Sequence, residues 1–270
     1  MVETAANFGG SIPEYYDRIM GPAQFDRFGQ DLVRRLPVRP PGDVLEIACG
    51  TGIVTARLRE RVDARLRIVA SDISKPMLDY ARNKLRGARD IDWREADAAA
   101  LPFKDATFGA VVCAFGVMFV PDKPAAFREA RRVLQEGGTF LFNVWDGLEN
   151  NPHGRANAEV MEELFPGDAE MKFATIPYGF NDRARIRTLF DEARFREVRM
   201  EPVRLDVESP SAREFATGQL RGTPRGLLVE QRGASIDEVI EKVAAALAKI
   251  GGSAPFRITA QALVMEARAI

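Results

Sequence analysis

The chain has 270 residues, a length that suits one large domain or a domain with a sizeable cap. Hydrophobic residues make up 46% and charged residues 29%, which is typical of a packed globular protein and excludes wholesale disorder. The 38 Lys and Arg residues nearly balance the 39 Asp and Glu residues, for a net charge of −1. A protein whose main role is to coat nucleic acid or an anionic membrane carries a strong positive charge instead.

Cysteine and histidine are too few for a disulfide framework or an ordinary zinc site, because the chain contains only Cys49, Cys113 and His153. We therefore expect no metal and a cytoplasmic location. Residues 1–17 lack the apolar run of a secretory signal. The longest uncharged stretch, residues 106–121, is too short to span a bilayer, so we expect no membrane span.

From residue 43 to about residue 145, short apolar runs alternate with amphipathic segments. The apolar runs predict strands at Asp43–Ala48, Leu66–Asp72, Ile91–Glu95, Phe108–Ala114 and Gly138–Trp145. The segments between them predict helices at Ile53–Val62, Lys75–Leu85 and Lys123–Leu134. Strands that are apolar on both faces and separated by helices require a parallel sheet covered on both sides. The pattern therefore predicts a doubly wound α/β fold.

Beyond residue 146 the pattern is less regular. It predicts helices at Arg155–Leu164, Asp182–Ala193 and Ile236–Ile250, a short helix that opens at Ser209-Pro210, and strands at Arg196–Val207 and Phe256–Ala267. We expect a helical N-terminal lid (1–40), a cofactor-binding core (41–148) and a C-terminal part (149–270). The last part completes a mostly parallel seven-stranded sheet and carries cap helices, with residues 208–252 as a lid or interface.

An apolar strand runs directly into a Gly-x-Gly turn and then into a helix over Val44–Gly52. Small residues in this turn, such as Ala48 and Gly50, let a ligand approach the backbone closely, and the helix that follows offers free N–H groups. Binding of a dinucleotide and binding of S-adenosylmethionine (SAM) both fit such a turn. The third glycine of a dinucleotide fingerprint would fall at position 55, which is Thr55. Its absence disfavours pyrophosphate binding.

Three acidic residues occupy three successive predicted strands. Glu46, inside the first strand, could reach the loop backbone or, through water, the amino group of SAM, since a buried acid is costly without a partner. Asp72, at the end of the second strand, can accept both hydroxyls of a ribose. Asp97, at the end of the third, can accept from an adenine amino group while the N–H of Ala98 serves a ring nitrogen. Each acid alone could pin a loop, cap a helix or face solvent, but their joint spacing favours SAM over NAD.

These residues resemble class I SAM-dependent methyltransferases. The resemblance rests on Glu46-x-x-x-Gly50-Thr51-Gly52, Asp72, the run at 97–103, and Gly137-Gly138 before the fifth strand. The string Ala100-Leu101-Pro102-Phe103, Phe108, Phe115-Gly116 and Val120-x-Asp122 is similar to the ubiquinone/menaquinone-biosynthesis C-methyltransferase group. The resemblance covers about residues 40–146. The C-terminal part is longer than in the quinone enzymes, and Met118-Phe119 replaces more polar residues, so quinone specificity is not carried over.

The resemblance implies roles for the candidate cofactor-binding residues. Gly50, Thr51 and Gly52 would approach the methionine portion of SAM, and Asp72 would hold its ribose.

The adenine would lie between Ile73 and Met77, and its edge would face Asp97 and Ala98. Met77 could equally be a plain core residue. The wall near the sulfonium would be formed by Cys113, Ala114 and Phe115. Cys113 could instead be a nucleophile, although a small buried cysteine usually serves packing.

Candidate residues for the acceptor side lie outside the core. Tyr15 or Tyr16 could fold over the carboxylate end of SAM as a lid, or the two rings could anchor a helix on the core. His153 could be a substrate-facing general base, although the preceding Asn-Asn-Pro favours a surface loop. Apolar residues near the fourth and fifth strands, including Phe119 and Trp145, indicate an apolar or aromatic acceptor.

The sequence thus predicts a methyltransferase that acts on a small molecule, with C- or O-methylation favoured and S-adenosylhomocysteine (SAH) as product. The fourth strand leads into Ala114-Phe115-Gly116-Val117 rather than Asn-Pro-Pro-Tyr, which disfavours a DNA N-methyltransferase. An RNA methyltransferase remains an alternative, against which the near-neutral charge counts. A SAM-binding interaction protein without catalysis is the other alternative. A homodimer is compatible with all three.

Overall fold

The computed structural model describes residues 8–270, except the side chains of residues 173–175. Its strands in chain order are β1 (Val44–Ile47), β2 (Ile68–Asp72), β3 (Ile91–Glu95), β4 (Phe108–Ala114), β5 (Leu134–Trp145), β6 (Arg196–Ser209) and β7 (Phe256–Ala269). They form one sheet of order β3-β2-β1-β4-β5-β7-β6. The pairs β3–β2, β2–β1, β1–β4 and β4–β5 are parallel, whereas β7 is antiparallel to both β5 and β6. The predicted doubly wound, mostly parallel seven-stranded sheet is confirmed.

Helices surround this sheet, and the first two of them precede β1 in the chain. They are α1 (Ile12–Tyr15), α2 (Asp26–Arg34), α3 (Ile53–Arg61), α4 (Lys75–Lys84), α5 (Lys123–Val133), α6 (Pro152–Leu164), α7 (Arg183–Glu192), α8 (Ala212–Arg221), α9 (Arg225–Gln231) and α10 (Ile236–Gly251). A π-helical segment (Tyr16–Phe25) joins α1 to α2, and a 3₁₀ segment (Met171–Tyr178) follows α6. No helix within residues 8–270 is both long and apolar enough to cross a membrane.

The central strands are buried on both faces, as a parallel sheet between two helix layers requires. Every residue of β1 and β2 is buried, whereas β3 at the sheet edge is partly exposed. On one face, the ring of Phe127 in α5 packs edge-on against Phe142 of β5 and Phe190 of α7, with ring centroids 5.6 and 5.0 Å apart. Such aromatic contacts add to the free energy of burial and fix how the helices lie on the sheet.

The topology places the carboxyl ends of the parallel strands along one edge of the sheet. Ligands of open α/β sheets bind in the crevice outside these ends. Two elements cover this edge in the structure. The π-helical segment lies over it from the N-terminal side, and α8 packs against that segment from the C-terminal side. Between cover and sheet edge the fold therefore encloses a space.

Candidate functional site

A cavity of about 270 Å³ occupies this space. Its sheet side is formed by residues at the ends of the strands: Ala48, Gly50, Asp72, Ile73, Asp97, Ala98, Ala114 and Phe115. Its cap side is formed by residues of α6, the 3₁₀ segment, α8 and the start of α9: Asn157, Tyr178, Gln219, Thr223 and Arg225. The π-helical segment contributes Tyr16, Met20, Gln24 and Phe25 between the two sides.

The turn after β1 has a left-handed backbone at three positions. Ala48, Gly50 and Gly52 have φ values of +53°, +54° and +74°. A Cβ atom at Gly52 would lie 3.1 Å from both Ala81 and Leu85, whereas a Cβ at Gly50 would meet nothing within 4 Å. Gly52 is therefore needed for close packing against α4 and its C-terminal cap, and Gly50 for its backbone conformation alone. Ala48 and Gly50 line the cavity.

Asp72 joins the turn after β1 to the turn after β2. Its Oδ2 accepts from the N–H of Gly50 and its Oδ1 from the N–H of Ser74, both at 2.7 Å. Burial raises the pKa of this carboxyl, while the two N–H groups act in the opposite direction. Each carboxylate oxygen has a second lone pair. The side chain can therefore hold the two turns and still accept from a ligand in the cavity.

Glu46 lies behind the turn and is only 1% exposed. Its Oε2 accepts from the hydroxyl of Thr55 at 2.6 Å. Burial raises its pKa to about 8, and the negative charge of Asp72 adds to the shift, so the carboxyl is protonated at neutral pH. Thr55 occupies the position where a dinucleotide fingerprint has its third glycine, and here it ties α3 to β1. Neither Glu46 nor Thr51 is among the described residues that line the cavity.

An apolar slot lies beside the end of β2. Ile73 is 50% exposed although it is a large hydrophobic residue, while Met77 is buried, and both line the cavity. Next to them, Asp97 accepts from the N–H of Ala99 through Oδ1 at 2.8 Å. Ala98 lines the cavity beside it. An exposed apolar side chain at a cavity wall is a surface that a flat ligand can cover.

The end of β4 is strained in the same way as the turn after β1. Phe115 has a φ of +54°, and its N–H donates to both the carbonyl oxygen and the Oδ1 of Asn143, at 3.1 and 3.0 Å. A non-glycine residue in this conformation costs about 1–2 kcal/mol, and such strain clusters at functional sites. Ala114 lines the cavity beside Phe115. Cys113 lies behind them, and burial raises its pKa to about 12, so it remains a thiol at neutral pH.

Aromatic rings form the wall between the sheet side and the cap side. Phe115 stacks on Trp145 with ring centroids 4.2 Å apart, and Tyr16 stacks on Phe25 at 4.9 Å. Burial, with the nearby charge of Asp72, raises the pKa of Tyr16 well above its usual value. Tyr16 lines the cavity, whereas Tyr15 is not among the described residues that line it.

The surface-loop interpretation of His153 is wrong. The residue is fully buried in the first turn of α6, because the rings of Trp145, Tyr178 and Phe215 pack around it. Its Nε2 lies 3.1 Å from the hydroxyl oxygen of Tyr178. Burial lowers its pKa to about 3, so the ring is neutral. Within the described part of the chain, Tyr178 and Gly154 line the cavity, whereas His153 does not.

The polar residues of the cap side are missing from the sequence-based prediction. Asn157 donates through Nδ2 to Oε1 of Gln219 at 3.1 Å and accepts through Oδ1 from Nη1 of Arg225 at 2.5 Å. No local pattern distinguishes these residues, since asparagine, glutamine and arginine are ordinary on helix surfaces. Their burial depends on how α6 packs against α8 and α9, which follow it far along the sequence.

Two polar atoms of the cavity-lining residues on the cofactor side have no hydrogen-bond partner among the described residues. Oε1 of Gln24 and Oγ of Ser74 are buried and unpaired within the described residues. Unpaired buried polar atoms are costly unless a ligand or water binds them. Together with Asp72 and the apolar slot at Ile73, they fit a ligand with hydroxyl, amino and flat aromatic groups, as SAM has.

Comparison with known proteins gives matches over the sheet side of this site. A family model described as a methyltransferase domain matches residues 45–142. The ubiquinone/menaquinone biosynthesis C-methyltransferase UbiE of Shewanella frigidimarina is 42% identical over 106 residues, which are 38% of this chain and 42% of that protein. The chain therefore spans less than half the length of the curated relatives it matches.

Solved structures show a similar fold over most of the chain. The YcgJ protein of Bacillus subtilis superposes with a TM-score of 0.59 at 16% identity, over 90% of this chain and 98% of that one. Haemonchus contortus phosphoethanolamine N-methyltransferase 2, solved in complex with S-adenosyl-L-methionine, gives a TM-score of 0.60 at 16% identity, over 95% of this chain and 56% of that one. At such identities the likeness establishes the fold.

Proposed function

We propose that this chain, whose residues 45–142 match a family model described as a methyltransferase domain, is a class I SAM-dependent methyltransferase that methylates a small molecule with an apolar or aromatic part. One observation carries the proposal: a continuous cavity joins the strand ends, where Asp72 and Ile73 lie, to an aromatic wall that contains Trp145. A methyl donor bound at the strand ends and an acceptor against the wall would share one enclosed space.

The geometry supports a role for each group of sheet-side residues. Asp72 holds the ribose of SAM, Ile73 and Met77 enclose its adenine, and Asp97 with Ala98 binds the adenine edge. All five of these residues line the same cavity.

Tyr16 and Gln24 of the π-helical segment cover the methionine end of the cofactor. The face of an aromatic ring stabilises a nearby cation, and the Tyr16 ring provides such a face for the sulfonium. The unpaired Oε1 of Gln24 accepts a hydrogen bond from the methionine amino group. SAM supplies an activated methyl group when it is bound.

The protein contributes alignment and exclusion of water. Methyl transfer is an in-line displacement, so holding donor and acceptor in line accounts for much of the rate acceleration. Buried aromatic rings keep water from the reacting atoms. His153 is a positioning residue in this proposal: it is neutral, lies behind Tyr178 and holds that hydroxyl in the cavity wall. Because the described cavity lining contains no strong base, C- or O-methylation in this proposal takes place on an acceptor whose reacting oxygen or carbon is already anionic, so that no proton has to be removed during the transfer.

The proposal is tested in two steps. Titration calorimetry with SAM and SAH should give binding, and NAD should give no heat. Incubation with methyl-labelled SAM and either a small-molecule extract or total RNA, followed by mass spectrometry, should label a small molecule. Label in RNA alone identifies the RNA methyltransferase alternative. SAM binding without any labelled product identifies the interaction protein.

A further inference from the structure

Arg225 is a buried cation on the cap side of the cavity. The residue is only 8% exposed, and among the described residues that line the cavity it is the one with a positive charge. Burial lowers its pKa to about 10, so the guanidinium is still charged at neutral pH. A buried charge carries a large free-energy cost unless an opposite charge lies against it.

Among the described residues, one edge of the Arg225 guanidinium has no hydrogen-bond partner. Nη1 donates to Oδ1 of Asn157, which is neutral. Nε is buried and has no partner within the described part of the chain. Nε and Nη2 together form the edge that binds a carboxylate or a phosphate through two parallel hydrogen bonds. The orphaned atom thus belongs to the edge that suits an oxyanion.

Other arginines of the same cap are paired, which makes Arg225 an exception. Arg221 donates to Asp237 at 2.9 Å, and Arg232 donates to Asp168 at 2.8 Å. No ion pair between Arg225 and a carboxylate occurs among residues 8–270 whose side chains are described. The described residues therefore supply no opposite charge for Arg225.

Neutral neighbours hold Arg225 in place without cancelling its charge. Gln219 fixes Asn157 by accepting from its Nδ2, which turns the Oδ1 of Asn157 toward Arg225. Thr223 donates to the backbone oxygen of Gln219 at 2.8 Å and lines the cavity beside it. A charged group positioned by a satisfied polar network is a preorganised binding site.

We propose that the methyl acceptor carries an oxyanion, a carboxylate or a phosphate, which binds Nε and Nη2 of Arg225 while its apolar part lies against Trp145 and Phe25. The assignment of this anion to the methyl acceptor rests on the proposed function. The anion site itself rests on the burial and hydrogen bonding of Arg225.

The test uses three probes that share a naphthalene ring: naphthalene-2-carboxylate, 2-naphthyl phosphate and the neutral naphthalene-2-carboxamide. Each is titrated calorimetrically into the full chain, with and without saturating SAH. One of the two anions should bind at least about tenfold more tightly than the amide, since charge-assisted hydrogen bonds are about twice as strong as neutral ones. The tighter anion identifies the acceptor group as carboxylate or phosphate.

Variants assign this preference to Arg225. In Arg225→Gln and Arg225→Met, the affinities for the anions should fall to within about threefold of the affinity for the amide. Arg225→Lys should keep part of the preference, because it retains the positive charge but not the planar guanidinium with two parallel donors. Arg221→Gln, a matched change at a paired arginine, should leave the preference intact. Arg225→Met should unfold at the same temperature as the wild type or higher, because it removes an uncompensated buried charge.

Four results would overturn the inference: equal binding of amide and anions by the wild type, binding of none of the probes, an anion preference that survives in Arg225→Gln, or an SAH affinity at least tenfold weaker in Arg225→Gln with the probe preference unchanged. The last would show that Arg225 binds the carboxylate of the cofactor. Should neither neutral variant fold, the preference of the wild type decides. If the wild type does not bind SAM, the proposed function is contradicted. The titrations without SAH would still decide this inference, because they do not depend on the cofactor.

Discussion

The two sides of the cavity are constructed in different ways. The sheet side is mostly backbone: two tight turns, joined by Asp72 through the N–H groups of Gly50 and Ser74. The cap side is made of long side chains on separate helices, among them Asn157 and Arg225. A site made from backbone depends on a short local sequence, whereas a site made from side chains depends on how distant helices pack. The first can therefore be shared among relatives that differ in the second.

If the sheet side holds the cofactor, its central carboxylate should dominate cofactor binding. Asp72→Ala should weaken SAM binding by about 2–4 kcal/mol, because it removes charge-assisted hydrogen bonds to the ribose and frees the turn at Gly50. Titration calorimetry measures the loss. Asp79→Ala, on the exposed face of α4, is the matched control and should bind SAM as the wild type does. An unchanged affinity in Asp72→Ala would contradict the ribose assignment.

The cap side should control how stability responds to acid, through His153. Its folded pKa of about 3 lies below the unfolded value of 6.5, so the unfolded state binds more protons between these pH values. Its stabilising contribution is present above pH 6.5 and is lost as the pH falls toward 3, at about 1.4 kcal/mol per pH unit. The free energy of unfolding of the wild type relative to His153→Gln should therefore drop by about 2–3 kcal/mol between pH 6.5 and 4.5.

Urea unfolding at several pH values measures this difference. A difference between wild type and His153→Gln that does not change with pH would show that the imidazole is not held neutral.

The sheet side should respond to pH in the opposite direction, through Glu46. Its folded pKa of about 8 lies above the ordinary value of 4.5, so the folded state binds more protons between the two. Its contribution is fully present below pH 4.5 and is lost as the pH rises through 8. Between pH 6.5 and 8 the wild type should lose about 2 kcal/mol of stability that Glu46→Gln does not lose. Parallel stability curves for the two proteins over this range would contradict a protonated Glu46.

The smallest effect separates the two glycines of the first turn. Gly52→Ala should destabilise the protein by about 1–2 kcal/mol, because a Cβ in a left-handed backbone also presses on Ala81. Gly50→Ala meets no atom within 4 Å and should cost less, about 1 kcal/mol, from the strain of its left-handed backbone alone. Since Gly50 lines the cavity, its variant should lose more SAM affinity than Gly52→Ala does. The reverse order in either measurement would contradict the assignment.

The same contrast explains what the sequence could predict. Strand β4 lies where the apolar run places it, because a strand buried on both faces leaves little choice of residue. Strand β5 begins at Leu134, earlier than predicted, because the chain passes from α5 straight into an extended conformation. The Asn-Asn-Pro before His153 indicated a loop, yet aromatic rings from three other elements bury the residue. Tertiary packing of this kind leaves no local signal, and the role of Arg225 was invisible for the same reason.

The stacking of Trp145 on Phe115 has an optical consequence. The chain contains two tryptophans, Trp145 at the cavity wall and Trp93 on the edge strand β3. Indole emission depends on the polarity and packing around the ring, so a ligand that enters the cavity changes the fluorescence of Trp145 and leaves that of Trp93 as an internal reference. With Trp93→Phe the protein carries a single tryptophan, which lies at the site, and the arrival of cofactor and acceptor can be timed separately without attaching any dye.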